Sequence, residues 1–262
     1  MSAPREEDLR RDLAAVVQQL AARGWVANHD GNATARLGEG RLLCTPTAMA
    51  KAEIAPETLL VLDAAGAVLA GSRKPMSELH LHRAALAARP DIGVVLHAHP
   101  PHLCAFAAAG QGIPHPFLAE AAVSLGPTLP VVALAAPGDP ALDRGVAEAL
   151  AVADVVILAG HWLLTVGGSP EQAFLRIELV EHLARIALLA VPLGGVRPLP
   201  AAMVAALTAK GRPPSQPSFG AAPAASGAPA PADPWRSAAP EPAGPRPDPR
   251  QAVAEALRRL GG

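Results

Sequence analysis

Apolar positions along this chain recur at two different periods, and the places where the period changes mark the elements. Over 6–24 the run EEDLRRDLAAVVQQLAARG repeats its apolar residues near every 3.6 positions and ends at Gly24, which predicts a helix. Short runs rich in Val, Leu and Thr follow. ATARL (33–37), RLLCTP (41–46) and TLLVLD (58–63) read as strands, and AAGAVLAG (64–71) turns and returns. Leu79, Leu81, Ala85 and Leu86 restore helical spacing and predict a helix over 76–88. DIGVVLHAH (91–99) is a strand and PHLCAFAAAG (101–110) a helix. PVVALA (130–135) is a strand, DPALDRGVAEAL (139–150) a helix, DVVILAG (154–160) a buried strand and WLLTVG (162–167) another strand. The long apolar-periodic run 170–190 is a helix, with Ser169 as its cap and Pro170 in its first turn. Helices and strands intermixed in this way imply a layered α/β domain, which the pattern places at about 1–200.

The pattern ends near residue 212. The segment 212–248 is built mostly of Pro, Ala, Gly and Ser, too little apolar area to offset the entropy of ordering it, and is expected to be a disordered tail. Within 249–260, Val253, Ala256, Leu257 and Leu260 share one face, so a short C-terminal helix is expected there.

Half of the 262 residues are hydrophobic, enough for one real core, and the net charge of −1 gives no reason to expect nucleic acid or an anionic membrane as partner. Apolar stretches are interrupted well short of the ~20 residues that span a bilayer. The charged opening MSAPREEDLRRDL does not read as a secretory signal, so a cytoplasmic protein is expected. Two cysteines, Cys44 and Cys104, make no disulfide framework and no zinc knuckle.

One short segment changes the picture. HAHPPH (97–102) puts three imidazoles into six positions at the end of an apolar strand. Strand residues two apart share a face, so His97 and His99 stand side by side, close enough to chelate one ion. A plain pair of strand-end surface histidines is the competing reading. His102 lies beyond two prolines and points elsewhere. A third ligand would have to come from far along the chain, and His161, following the buried strand 154–160, is the candidate. Three neutral imidazoles and an open position form the usual catalytic zinc arrangement. Glu78 reads, by itself, as a helix-start carboxylate serving the dipole, and Gly31–Asn32 as a turn.

Four segments together resemble the class II aldolase/adducin family, across roughly residues 8–195. DGNATAR (30–36) is similar to its G-N-x-S/T turn, and CTPTAMA (44–50) to its T-P-T/S-G turn. KPMSELHLHRAALAARPDIGVVLHAHP (74–100) is similar to its acidic helix running into the H-x-H strand. LAGHWLLTVG (158–167) is similar to the segment that supplies a third zinc histidine. The resemblance implies a three-layer α/β/α domain with a central mixed, largely antiparallel sheet, and a homotetramer with active sites near subunit interfaces. It implies Zn2+, or another divalent metal, on His97, His99 and His161, with Glu78 as acid/base. It implies a substrate phosphate cradled by Gly31, Asn32, Thr47 and Ser77. The activity implied is that of an L-fuculose-phosphate aldolase-like lyase. Such an enzyme works on a C–C bond next to a hydroxy-ketone, in a small ketose or ketose phosphate, through a metal-stabilised enediolate. Decarboxylation, dehydration or epimerisation of a sugar-acid phosphate would use the same metal. A non-catalytic adducin-like module is not expected to keep the three histidines.

The chain departs from the family pattern in four places. Ala48 stands where the second turn has Gly, Met76 replaces a hydroxyl residue, and Trp162 replaces the glycine that follows the third histidine. No tyrosine is present to serve the leaving group, so either another group such as His115 or a zinc-bound water supplies that proton, or the reaction differs.

Overall fold

The computed structural model describes residues 6–133, 135 and 139–210. In chain order the elements are α1 (Glu6–Ala22), β1 (Asn32–Arg36), β2 (Leu42–Cys44), β3 (Leu60–Leu62), β4 (Val68–Ala70), α2 (Leu79–Ala88), β5 (Val94–Ala98), α3 (Pro101–Ala108) and α4 (Ala119–Leu125). They continue with β6 (Val131–Val132), α5 (Pro140–Leu150), β7 (Val155–Leu158), β8 (Trp162–Gly167), α6 (Pro170–Ala190) and α7 (Ala201–Thr208). The strands form one eight-stranded sheet in the order β4-β3-β2-β1-β5-β8-β7-β6. Every neighbouring pair is antiparallel except β6–β7, so the mixed, largely antiparallel sheet is borne out.

Side-chain alternation sorts the two faces of this sheet. On one face Val94, Leu96 and Ala98 of β5 join Val155 and Ile157 of β7 against Leu13 and Val17 of α1, Ala121 of α4 and Ile177 and Val180 of α6. On the other face Val95, Val156 and Leu164 pack under Leu81, Ala85 and Leu86 of α2 and Val146 and Leu150 of α5. The result is three layers. Cys44 lies buried in the second core, so its thiol is pushed up to about 12 and behaves as a small apolar side chain. Among the described residues no helix is long and apolar enough to cross a membrane.

The far end of α2 is fixed by a buried guanidinium. Arg89 pairs with both carboxylate oxygens of Asp91 at 2.7 Å, reaches Asp154 at 2.9 Å and donates to the Leu150 carbonyl at 2.8 Å. This ties α2 to the end of α5 and holds its other end, with Glu78, in place.

Four details differ from the sequence pattern. α2 starts at Leu79, not Met76, because residues 75–78 are taken up by a bridge from Pro75 to Pro46 and a turn, leaving Glu78 at the N-cap. Ser77 therefore does not cap the helix. β6 keeps only Val131–Val132 of the strand expected over 130–135, lying at the sheet edge with a single neighbour. α4 and α7 were not anticipated, being short and Ala-rich with little polar contrast to mark a face. α7 begins just past the expected domain limit at residue 200. The expected tail (212–248) and C-terminal helix (249–260) lie outside the described residues.

The topology delivers three distant segments to one place. Asn32 opens β1 directly opposite His97 in the β1–β5 ladder. Ala98 pairs with Leu163 in the β5–β8 ladder, so His161 stands just before β8 beside the end of β5. The Pro46–Pro75 bridge sets the 46–48 turn against the start of α2.

Candidate active site

The site grows from the end of β5. His97 is buried, and its Nδ1–H donates to the Leu163 carbonyl at 3.3 Å, which leaves the Nε2 lone pair facing inward. His97 Nε2 and His99 Nε2 are 3.0 Å apart. The backbone of His99 is pinned by its N–H to the Trp25 carbonyl at 2.8 Å. Asp30 Oδ2 lies 3.6 Å from His99 Nδ1, on the side away from His97. The His161 ring stands edge-on to that of His99, with centroids 5.6 Å apart, and is exposed. Loss of solvation holds all three imidazoles below their ordinary pKa, most strongly the buried His97 and also His161, whose ring is shielded in part although the residue is exposed, so each is the neutral base that a metal requires.

The donor set fits a divalent cation in part. Two nitrogens bonded at ~2.0–2.1 Å to a tetrahedral zinc stand about 3.3–3.4 Å apart, close to the His97–His99 separation. Two inward lone pairs at 3.0 Å would repel unless a proton or a cation lay between them. His161 is adjacent but not drawn in: among the described residues no three His, Cys, Asp or Glu side chains converge as a complete metal-binding group.

Glu78 faces this pair from the N-cap of α2. Its Oε2 accepts the Asn32 Nδ2–H at 2.6 Å and lies 3.5 Å from His97 Nε2. Burial pushes its carboxyl up to about 7, against the opposing pull of the Asn32 hydrogen bond. A carboxyl placed there can take or return a proton near neutral pH. Asn32 is itself buried, and its Oδ1 has no hydrogen-bond partner. One hydrogen of its amide is engaged by Glu78.

Gly31 explains how the strand entry fits. Its φ is +75°, and a Cβ there would overlap Val26 Cγ1 and stand 3.1 Å from the His97 carbonyl oxygen. Thr47 and Ser77 both border a cavity of about 100 Å³ shared with Glu78, His97, His99 and His161. The Thr47 amide, however, is spent on the Lys74 carbonyl at 2.9 Å. Ala48 keeps the left-handed conformation of the usual glycine (φ +52°), at a cost of roughly 1–2 kcal/mol. Met76 is buried against Thr45, its Sδ 3.9 Å from the Thr45 hydroxyl.

His29, Asp30, Pro46 and Lys51 also border the cavity without having been singled out as site residues. Asp30 stands next to the glycine of the first matched turn, and Lys51 is one of only three lysines in the chain; those are the signals that could have found them. Other histidines lie elsewhere. His115 Nε2 is 2.8 Å from the Gly126 carbonyl and does not border the cavity, so it is not positioned in the subunit as the proton donor. His102 Nδ1 meets Glu181 Oε1 at 2.6 Å, where Glu181 also caps the start of α3. His80 is exposed beside Asp143. His82 is fully buried and neither ring nitrogen has a hydrogen-bond partner among the described residues, so it packs rather than supporting Glu78.

The family model described as Class II Aldolase and Adducin N-terminal domain matches residues 11–188. This chain belongs to the class II aldolase/adducin family. Within that family, a 5-methylthioribulose-1-phosphate/5-deoxyribulose-1-phosphate aldolase of Rhodospirillum rubrum is 32% identical over 176 residues, covering 67% of this chain and 78% of the relative. A 3,4-dihydroxyphthalate decarboxylase of Arthrobacter keyseri is 36% identical over 205 residues, covering 71% and 80%. A solved L-fuculose 1-phosphate aldolase superposes with a TM-score of 0.70 at 25% identity, over 80% of this chain and 97% of that one. The class II aldolase/adducin fold therefore frames every residue of the site, and the named relatives carry out more than one reaction on it.

Proposed function

We propose that this chain is a divalent-metal-dependent lyase, a zinc aldolase, that breaks or forms a C–C bond next to the carbonyl of a small hydroxy-ketone. The observation that carries the reading is the meeting of His97 Nε2, His99 Nε2 and the Glu78 carboxylate at one cavity, with separations of 3.0 and 3.5 Å. His97, His99 and His161 would hold the cation. A cation held there would supply Lewis-acid polarisation of a substrate carbonyl and stabilise negative charge beside it. Glu78 would take the proton from the hydroxyl on the departing carbon, which becomes an aldehyde, and return it to the carbon that keeps the electron pair when the bond breaks. Asn32 fixes the carboxylate in line for that transfer, and Gly31 lets the loop approach closely enough for it to do so. Thr47 and Ser77, which border the cavity, would meet the polar end of the substrate, as phosphate or as another oxyanion. Four copies with sites near their interfaces, in the cytoplasm, complete the reading.

The test is a panel of ketose 1-phosphates, the free ketoses and hydroxy-keto acids, with aldehyde and CO2 both followed. Metal-dependent aldehyde release supports the aldolase, and a metal-loaded protein that cleaves no member of the panel opposes it. Decarboxylation is the second reading. The 36% identity to a decarboxylase favours it, as does the lack of tyrosine, because departing CO2 takes its electrons from no hydroxyl and asks only for the proton that Glu78 returns.

A further inference from the structure

Lys51 is the only lysine or arginine among the residues that border the cavity. It is 3% exposed, an unusual setting for an ammonium. Its Nζ donates to the His29 carbonyl at 2.8 Å and the Met49 carbonyl at 3.0 Å. An ammonium has three hydrogens to donate, so one is left over. Asp30 and Glu78 act on it only at longer range, and among the described residues no carboxylate lies within ion-pairing distance. Burial accordingly pulls its pKa down. A buried charge persists in a fold when something of opposite sign meets it, and here the fold supplies two neutral carbonyls.

The same segment has lost other means of holding an anion. The Thr47 amide is spent on Lys74, Ala48 stands in place of the glycine, and the Met76 thioether replaces a hydroxyl. We infer that Lys51 is a specificity-determining residue which receives the anionic group of the substrate, a carboxylate or phosphate oxygen, in the cavity shared with Glu78 and the histidines. The inference rests on the metal-dependent lyase reading and extends it: the substrate is an anion, recognised by a fixed point charge rather than by a cradle of backbone amides. A lysine that merely tied the 29 and 49 loops together would affect stability without regard to the charge of any ligand.

The experiment uses the full-length, metal-loaded protein and calorimetric titration with inorganic phosphate, 2-phosphoglycolate and hydroxymalonate, and with neutral glycolamide as control. Lys51→Met should weaken the preferred anion by at least tenfold, Lys51→Arg should stay within a few-fold of wild type, and glycolamide binding and metal content should be unchanged in both. Preference for phosphoglycolate identifies a phosphate, and preference for hydroxymalonate a carboxylate; either supports the inference. Anion binding as tight in Lys51→Met as in wild type overturns it. If Lys51→Met fails to fold, wild type and Lys51→Arg decide: binding anions no better than glycolamide overturns the role. Failure of the lyase reading shows separately, as wild-type protein with neither metal nor turnover.

Discussion

His82 sits fully buried on α2 with both ring nitrogens unpartnered, and it makes the stability of this domain sensitive to acid in a way that one substitution should remove. Burial, with a smaller push from His80, lowers its pKa from the ordinary 6.5 to about 3. The imidazole is therefore neutral in the folded protein while the unfolded chain takes up a proton below about pH 6.5. Stability is fully present above that value and is lost as pH falls towards 3. Between pH 7.5 and pH 5 the loss from this one group is about 2 kcal/mol, or roughly 1.4 kcal/mol for each pH unit below 6.5. For a domain of this size that lowers Tm by about 4–8 °C. His82→Leu removes the titration and leaves no broken hydrogen bond behind. His97 is present in both proteins and held neutral chiefly by burial, with His82 only a smaller cause of its lowered pKa, so most of its contribution cancels in the difference. Urea unfolding of the two proteins at both pH values, with metal chelated, measures it. Equal losses for wild type and His82→Leu would refute the reasoning.

Two further outcomes follow from the site. Glu78→Gln should retain metal and fold yet lose about 10²–10⁴ in turnover, the usual contribution of a positioned proton donor or acceptor, measured as initial rate at matched metal content. Gly31→Ala forces a side chain into a left-handed conformation and against Val26, so it should cost at least ~1–2 kcal/mol in urea unfolding and weaken metal binding through the displaced His97 strand end. A Gly31→Ala protein as stable as wild type would show that the loop yields easily.

Period and punctuation made most of the sheet legible, because β5, β7 and β8 are buried, mostly apolar runs whose alternation is forced by two cores. The His97–His99 pair was legible for the same reason, since a strand puts residues two apart on one face. The start of α2 was not, because its first expected turn is drawn off by the contact between Pro75 and Pro46, two residues 29 positions apart in sequence. That displacement is what puts Glu78 at the helix end instead of inside it. The Asn32–Glu78 hydrogen bond crosses 46 positions, and no local pattern encodes it. Asn32 was read as an anion ligand, and the structure adds a partner that no local pattern shows, since one hydrogen of its amide goes to the Glu78 carboxylate. Lys51 carried a signal only in its rarity, and its burial depends on the approach of the His29 loop.

The central claim is a three-histidine metal site, and metal content tests it most directly. Full-length protein purified without chelators and measured by plasma mass spectrometry should carry one divalent cation per chain, with zinc favoured. His97→Ala and His161→Ala should each lose it while keeping a cooperative unfolding transition. A His161→Ala protein that retains the full metal complement would contradict the account, because the cation would then be held without the residue that completes its set.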